Sequence, residues 1–274
     1  MLDKSKLTST NKKNALSGVN TTAGDASQAN YSPEEIAKFD ALAENWWDPN
    51  GKYKTALEFN RERVGYFIEQ ICVHYDRDPN VDKPLTGLNI IDVGCGGGLV
   101  CEPLARAGAK VVGIDVSEVS VEVAKRHALS SGLDIDYRHV HAKQISEEEP
   151  LAYDVVINAE VIEHVPNQKE LVQQCGRLCK EGGCVVMATL NRTLKSFFVG
   201  IIGAEYIMRY LPIGTHSWYL FVTPFELNSM ASVARMKLTT ETGMKYNLFT
   251  KQWKTRKDLG VNYIQIYQKL GSIR

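Results

Sequence analysis

The sequence predicts an α/β fold: a doubly wound domain with a mostly parallel sheet of seven strands. Two observations favour this class. From residue 88 onward, short apolar runs alternate with segments of helical periodicity, and the first run leads directly into a glycine-rich turn. Because parallel strands need helical crossovers between them, this alternation is what such a sheet requires. A chain of 274 residues is long enough for one domain of this kind, which we place at residues 31–274.

Two helices are predicted ahead of the sheet. A serine cap, a first-turn proline and two glutamates follow one another at 32–35, so a helix begins there and extends to about residue 44. Apolar residues recur at spacings of three and four over residues 60–74, which indicates a second helix. Residues 1–30 are polar and lack apolar periodicity, so we expect a disordered tail there.

The strands and helices of the sheet region follow from the alternation. Strands are predicted at 88–93, 110–114, 135–139, 153–158, 183–189, 237–242 and 263–268. Helices fit between them at 99–107, 117–131 and 168–180, the last closed by Gly182 and Gly183 in the manner of a glycine cap. Residues 191–224 are too many for an ordinary connection, so they indicate an insertion after the fifth strand.

Composition excludes several classes of function. Lysine plus arginine and aspartate plus glutamate both number 32, and this balance disfavours a nucleic-acid partner, which usually requires a basic face. The longest apolar run, 197–204, is far shorter than the roughly 20 residues that span a bilayer. The six cysteines form no CxxC pair and no secretory signal precedes them, so we expect reduced thiols and a cytoplasmic location. A mitochondrial transit peptide is the competing interpretation of the tail, although the first thirty residues contain no arginine.

The glycine-rich turn indicates a nucleotide-type site. Residues 89–98 form a buried strand that runs into Gly94, Gly96 and Gly98, where the absence of Cβ atoms lets the backbone approach a ligand. Asp115 stands 17 residues beyond Gly98, at the end of the next strand, where a carboxylate can accept both hydroxyls of a ribose. Dinucleotide enzymes share this pair, but their third glycine falls three residues after the second. A tight structural turn is the alternative.

Several separated segments between residues 39 and 268 together resemble the ubiquinone biosynthesis O-methyltransferases, a family of class I S-adenosylmethionine-dependent methyltransferases with a Rossmann-like fold. They are NWWD at 45–48, RVGY at 63–66, DVGCGGG at 92–98, EVIEHV at 160–165, TLNR at 189–192, GAEY at 203–206 and GTH at 214–216. The resemblance implies cofactor contacts from Arg63, Gly94, Gly96, Asp115 and Ala159. The stretch 60–63 is less apolar than is common in the family, which leaves Arg61 as an alternative to Arg63.

The chemistry of O-methylation directs attention to the residues after the fourth strand. A phenol with a pKa near 10 is ionised about one part in a thousand at pH 7, a deficit of roughly 4 kcal/mol that a base or a metal must offset. If the segment is helical, Glu160 lies beside Glu163 and His164, and the three could hold Mg²⁺ or Zn²⁺, as the resemblance implies.

Other roles for this segment stay open. His164 could act as a general base without a metal, or the segment could be a polar turn with a structural role only. We take His164 and Glu163 as candidate catalytic residues and His216 as a further candidate.

The apolar stretch 194–211 within the insertion predicts a membrane contact or an active-site lid. The resemblance implies a substrate with a polyprenyl tail, so we expect peripheral association with the inner membrane, on the matrix face in a eukaryote, and contacts with other quinone-biosynthesis enzymes. The expected activity is O-methylation of a catechol-type polyprenyl intermediate. The alternatives are a C-methyltransferase, a methyltransferase of small phenols, and a non-catalytic cofactor-binding scaffold.

Overall fold

The computed structural model describes residues 30–43, 46–48, 51, 54–198, 217–247, 250 and 252–271. Nearly all of the predicted tail and the centre of the insertion, including His216, lie outside the described residues. Within the described ranges, no helix is long and apolar enough to cross a membrane.

A single sheet of eight strands forms the centre of the described part of the chain. The strands are β1 (Asn89–Val93), β2 (Lys110–Asp115), β3 (Asp136–His139), β4 (Tyr153–Ala159), β5 (Cys179–Leu190), β6 (Met236–Asn247), β7 (Gln252–Arg256) and β8 (Asn262–Lys269). Their order is β3-β2-β1-β4-β5-β8-β6-β7. The first five strands pair in parallel, and β8, β6 and β7 continue the sheet in antiparallel pairs. The α/β class is confirmed, but the prediction of seven strands missed β7.

Eight helices accompany these strands in the described ranges. They are α1 (Pro33–Ala43), α2 (Lys54–His74), α3 (Cys101–Arg106), α4 (Glu118–Ser130), α5 (Ala142–Glu148), α6 (Gln168–Leu178), α7 (Leu194–Ser196, a single turn) and α8 (Pro224–Val233). The sequence patterns predicted neither α5 nor α8. Helix α2 begins at Lys54, before the predicted start at residue 60.

The glycine cap predicted for α6 is wrong. The helix ends at Leu178 and β5 begins at the next residue, so Gly182 and Gly183 belong to the strand. The pairing of β5 with β4 shifts register between Tyr153 and Val155, and Gly182 takes a left-handed φ of 79° at this irregularity. A Cβ on Gly183 would lie 2.7 Å from the carbonyl oxygen of Asp154, so both glycines serve the irregular pairing.

Two hydrophobic clusters cover the two faces of the sheet. Successive residues of a strand point to opposite faces, and Ile90 accordingly belongs to a cluster with residues of α2, α3 and α4, whereas Ile91 belongs to one with residues of α5, α6 and α8. Both faces of the central strands are therefore buried, as in other parallel sheets. All six cysteines are free thiols and all are buried in these clusters.

Candidate functional site

A cavity of about 1040 Å³ opens at the carboxyl ends of the parallel strands. Residues after β1, β2 and β4 line it, and so do residues from α1, α2, β7 and the start of β8. Parallel sheets bind ligands at this edge, and the volume is at the upper end of what small-molecule sites usually have.

The glycine turn after β1 forms one wall of this cavity. Gly94 and Gly96 have φ values of 82° and 50°, which favour glycine. A Cβ on Gly94 would lie 2.4 Å from Cγ2 of Val161, and one on Gly96 would lie 2.6 Å from the ring of Trp46. The turn therefore requires glycine at 94 for both conformation and space.

Asp115 lies at the end of β2 and lines the same cavity. Its Oδ2 accepts a hydrogen bond from the backbone N–H of Gly96 at 2.8 Å, and its Oδ1 accepts one from the N–H of Ser117 at 2.8 Å. Burial raises the pKa of this carboxyl group, and these backbone donors partly oppose the shift. A carboxylate oxygen accepts more than one hydrogen bond, so both oxygens keep capacity for ligand hydroxyls.

Arg63 of α2 is 7% exposed and also lines the cavity. Its Nη1 donates to Oε1 of Glu160 at 2.8 Å, and its Nη2 donates to Oδ1 of Asn60 at 2.8 Å. The guanidinium lies over the ring of Phe59 at 5.0 Å, and its buried Nε has no hydrogen-bond partner in the described part of the chain. Arg61 is exposed and is not part of the cavity wall, so this placement favours Arg63 of the two arginines.

The segment after β4 does not have the helical form on which the metal-site geometry depended. Ala159 ends the strand and lines the cavity, and Glu160 has a left-handed φ of 58°. A single 3₁₀ turn follows at Ile162–His164. The side chains of Glu160, Glu163 and His164 then point toward Arg63, Thr189 and Glu35 respectively. Within the described ranges, no three histidine, cysteine, aspartate or glutamate side chains are grouped as a metal site.

Glu163 lies beneath the cavity wall rather than in it. It is 2% exposed, and its Oε2 accepts a hydrogen bond from the Thr189 hydroxyl at 2.8 Å. Burial and the negative charge of Glu160 raise its pKa well above the usual range, which favours the protonated form of this carboxyl group. The proton allows Glu163 to donate a hydrogen bond to Glu160. Without that proton its Oε1 has no partner among the described residues.

His164 faces helix α1 across the cavity wall. Its Nδ1 lies 2.8 Å from Oε2 of Glu35, and the edge of its ring contacts Phe39 at a centroid distance of 5.0 Å. The hydrogen bond with His164 is the main reason that the pKa of Glu35 falls to about 2, so Glu35 is ionised throughout the neutral range. Sequence reasoning missed Glu35 because it is 129 residues from His164 and also suits the first turn of any helix.

Helix α1 and the residues on either side of it line the cavity. The Ser117 hydroxyl donates to Asp40, and the ring of Tyr31 stacks on His141 at 4.8 Å. Trp47 stacks on His127 at 3.6 Å, and its Nε1 donates to the carbonyl oxygen of Gly97 at 2.8 Å. Trp46, which lies beside Gly96, and Trp47 therefore attach the N-terminal segment to the glycine turn.

Comparison with known proteins identifies relatives over most of the chain. Residues 91–187 match the methyltransferase domain family. A ubiquinone biosynthesis O-methyltransferase from Chelativorans sp. is 42% identical over 245 residues, covering 89% of this chain and 96% of that protein. One from Mesorhizobium japonicum is 44% identical over 239 residues, covering 87% and 95%.

Solved structures of methyltransferases share the fold. Magnesium protoporphyrin IX methyltransferase from Synechocystis PCC 6803 with bound SAH has a TM-score of 0.60 at 19% identity, covering 85% of this chain and 94% of that one. A SAM-dependent methyltransferase from Thermotoga maritima also has a TM-score of 0.60, at 13% identity, covering 86% and 99%. At these identities the likeness concerns the fold alone.

Proposed function

Because the chain belongs to the ubiquinone biosynthesis O-methyltransferase family, we propose that its cavity binds S-adenosylmethionine beside a catechol-type polyprenyl phenol and that one ring oxygen receives the methyl group. The chain is an S-adenosylmethionine-dependent O-methyltransferase of ubiquinone biosynthesis. The observation that carries the proposal is that Asp115, Arg63 and His164, which come from three separate elements, line one cavity with the glycine turn.

The cofactor contacts follow from the chemistry of these side chains. Asp115 would accept the two ribose hydroxyls, and Arg63 would bind the methionyl carboxylate by charge-assisted hydrogen bonds. The glycine turn lets the backbone approach the ligand at Gly94 and Gly96. Ala159 would present its main chain beside the sulfonium. S-adenosylmethionine supplies an electrophilic methyl group when it is bound, so the protein must orient the acceptor oxygen in line with that group.

His164 would remove the phenolic proton. When its Nδ1–H donates to the ionised Glu35, Nε2 is the nitrogen that accepts a proton, and the charge of Glu35 stabilises the resulting imidazolium. Nε2 of His164 would take the phenolic proton while the phenol oxygen accepts the methyl group that the cofactor supplies, and the electrons of the former C–S bond would leave with the sulfur as a neutral thioether.

A divalent metal is the second candidate for activating the phenol, and one observation favours it. Glu163 is buried and lies within hydrogen-bonding reach of Glu160, which is partly exposed, and two neighbouring carboxyl groups are suited to hold a cation. Glu160 and Glu163 would hold the metal, which would lower the pKa of a bound phenol. The third predicted ligand, His164, is turned toward Glu35 instead.

One experiment tests the activity and separates the two candidates. Methyl transfer from labelled S-adenosylmethionine to a short-tailed prenyl catechol is measured with EDTA and after addition of Mg²⁺ or Zn²⁺. Product that resists EDTA supports His164 as the base. Loss of product with EDTA and its return with metal would replace that role by the Glu160 and Glu163 pair. Cofactor binding without product on any phenol would overturn the proposed substrate class.

We also propose that the enzyme contacts a membrane surface through the insertion. Large apolar side chains in the described parts of the insertion and at the start of α8 are strongly exposed: Leu194 (73%), Phe198 (59%), Tyr219 (82%) and Phe225 (80%). Such a group of exposed apolar side chains suits an interface that a polyprenyl tail occupies. Sedimentation with anionic lipid vesicles should recover the wild-type protein but much less of the Phe198→Ser, Phe225→Ser double variant. Equal recovery of both would contradict this contact.

Cofactor binding is expected to release a proton from Asp92 near neutral pH. Asp92 lies in the cavity wall, where it is 1% exposed. Burial raises its pKa to about 7. The sulfonium and ammonium charges of the cofactor favour the ionised carboxylate and so lower this pKa. Affinity should therefore rise as pH increases from about 5 to 7 and level off above the pKa in the free protein.

Calorimetric titration at about pH 6.5 in two buffers with different ionisation enthalpies measures the proton release directly. Asp92→Asn is the control, because it keeps the shape of the side chain and removes the titrating group. Equal proton release from the wild type and Asp92→Asn would exclude Asp92 as the source.

A further inference from the structure

An aromatic wall lies on the side of the cavity away from the ribose-binding position. Phe59 of α2 and Trp253 of β7 both line the cavity, and their ring centroids are 4.8 Å apart at an interplanar angle of 66°. Tyr246 supports Trp253 from behind at 5.3 Å, and these two residues are cross-strand partners in the β6–β7 hairpin. Two elements distant in sequence thus hold the rings in a fixed arrangement.

Trp253 has a hydrogen-bond donor that contacts no acceptor in the described part of the protein. Its Nε1 is buried and has no hydrogen-bond partner among the described residues. Buried indole N–H groups usually have a partner because leaving one unsatisfied is unfavourable. The neighbouring Arg63 has the same property at Nε, and its guanidinium lies over Phe59. Two buried donors that lack acceptors among the described residues therefore belong to side chains in contact with the Phe59 ring.

The strand order indicates which ligand reaches this wall. With the ribose at Asp115 on β2 and the carboxylate at Arg63, the cofactor would extend along the ends of β2, β1 and β4. The remaining cavity is bounded by Leu190 at the end of β5 and by Val261 and Asn262 at the start of β8. Phe59 and Trp253 line the same cavity, and because β7 lies beyond β8 in the strand order, we place them beside this second part, where an acceptor substrate would bind.

We propose that Phe59 and Trp253 form the subsite for the aromatic ring of the phenolic substrate, and that Trp253 Nε1 donates a hydrogen bond to an oxygen substituent of that ring other than its two catechol hydroxyls. The proposal rests on the proposed function, since it assigns one part of the same cavity to the acceptor. Aromatic side chains prefer offset or edge contacts with a bound ring, which the inclined pair provides. The indole N–H then discriminates between rings with and without an oxygen at that position.

The test compares Trp253→Phe, which keeps a ring and removes only the donor, with the wild type on three prenyl catechols. One has no further ring oxygen, one has a methoxyl group and one has a carboxylate. Trp253→Phe should raise KM about tenfold for the oxygenated substrate that wild type prefers, and less than about twofold for the unsubstituted one. The substituent whose preference disappears identifies the acceptor. The Kd for S-adenosylmethionine should not change.

Tyr246→Phe is the matched control, because it preserves the packing against Trp253 and lies outside the cavity wall. An equal rise of KM on all three substrates, or the same rise in Tyr246→Phe, would overturn the hydrogen bond. A weaker Kd for S-adenosylmethionine with unchanged KM values would assign Trp253 to the cofactor instead.

A binding measurement keeps the inference independent of turnover. The three phenols are titrated in the presence of S-adenosylhomocysteine, and their Kd values are compared between the wild type and Trp253→Phe. If the proposed function is wrong but the subsite exists, no product forms and Trp253→Phe still weakens the binding of one oxygenated phenol selectively. If the subsite is wrong, the substitution leaves all three Kd values unaltered.

Discussion

Replacing His164 with alanine is expected to lower kcat by about 10²–10⁴-fold, the usual range for loss of a general base, while the Kd for S-adenosylmethionine stays close to that of the wild type. The expectation follows from the proposed arrangement, in which Nδ1–H donates to Glu35 at 2.8 Å and Nε2 accepts the phenolic proton. Single-turnover methyl transfer and cofactor titration measure the two quantities separately.

His74 provides the control for this substitution. It lies at the end of α2, where its Nε2 contacts the carbonyl oxygen of Gly182 at 2.8 Å, and it does not line the cavity. His74→Ala should keep nearly full kcat. Glu35→Gln should lower kcat about tenfold, because a neutral amide stabilises the imidazolium less than a carboxylate does. Retention of more than half of kcat in His164→Ala would exclude this histidine as the base.

Asp115→Ala is expected to weaken S-adenosylmethionine binding at least 100-fold. Each hydrogen bond from a hydroxyl to a charged group contributes about 1.5–3 kcal/mol, and Asp115 would form two with the ribose. The substitution also leaves the N–H groups of Gly96 and Ser117 without their acceptors, so the melting temperature of the free protein should fall as well. Titration calorimetry and thermal unfolding measure the two effects.

Two further variants separate binding from folding. Asp115→Asn retains a side-chain acceptor, so its Kd should rise less than that of Asp115→Ala. The exposed Asp134, which precedes β3, provides a neutral comparison as Asp134→Ala. A Kd for Asp115→Ala within threefold of the wild type would place the ribose elsewhere.

The parallel part of the sheet was predictable because each strand is a local signal. Strands β1 and β4 are buried on both faces, so they stand out as short apolar runs whatever surrounds them. The glycine turn was predictable for a similar reason, since its positive φ values and the contact at Val161 exclude other residues at 94. Burial of a strand and positive φ in a turn both restrict which residue types can stand next to one another in the sequence, so a local pattern reveals them.

Strand β7 was missed because its stability comes from its partner rather than from its own pattern. Four of its five residues are exposed and only Trp253 is partly buried, so Gln252–Arg256 shows no apolar run. It pairs with the second half of β6, which itself extends beyond the predicted strand. Edge strands of this kind depend on tertiary pairing, which local patterns do not report.

The conformation after β4 was mispredicted for a different reason. Spacings of three and four bring side chains together only on a helix, and Glu160 instead adopts a left-handed backbone that is uncommon for residues other than glycine. Its N–H donates to the carbonyl oxygen of Ala188 at 2.8 Å, which anchors this conformation to β5. Such strain is common at functional sites and leaves no mark in the sequence.

The burial of all six cysteines makes thiol reactivity a measure of how often the domain opens. All six thiols are buried, and burial raises the pKa to about 11 for Cys95 and about 12 for Cys175 and Cys179. A disulfide reagent therefore reacts only with molecules in which part of the core is transiently exposed to solvent. Cys95 belongs to the glycine turn, whereas Cys175 and Cys179 lie across the sheet. Their separate labelling rates would distinguish local opening of the turn from global unfolding.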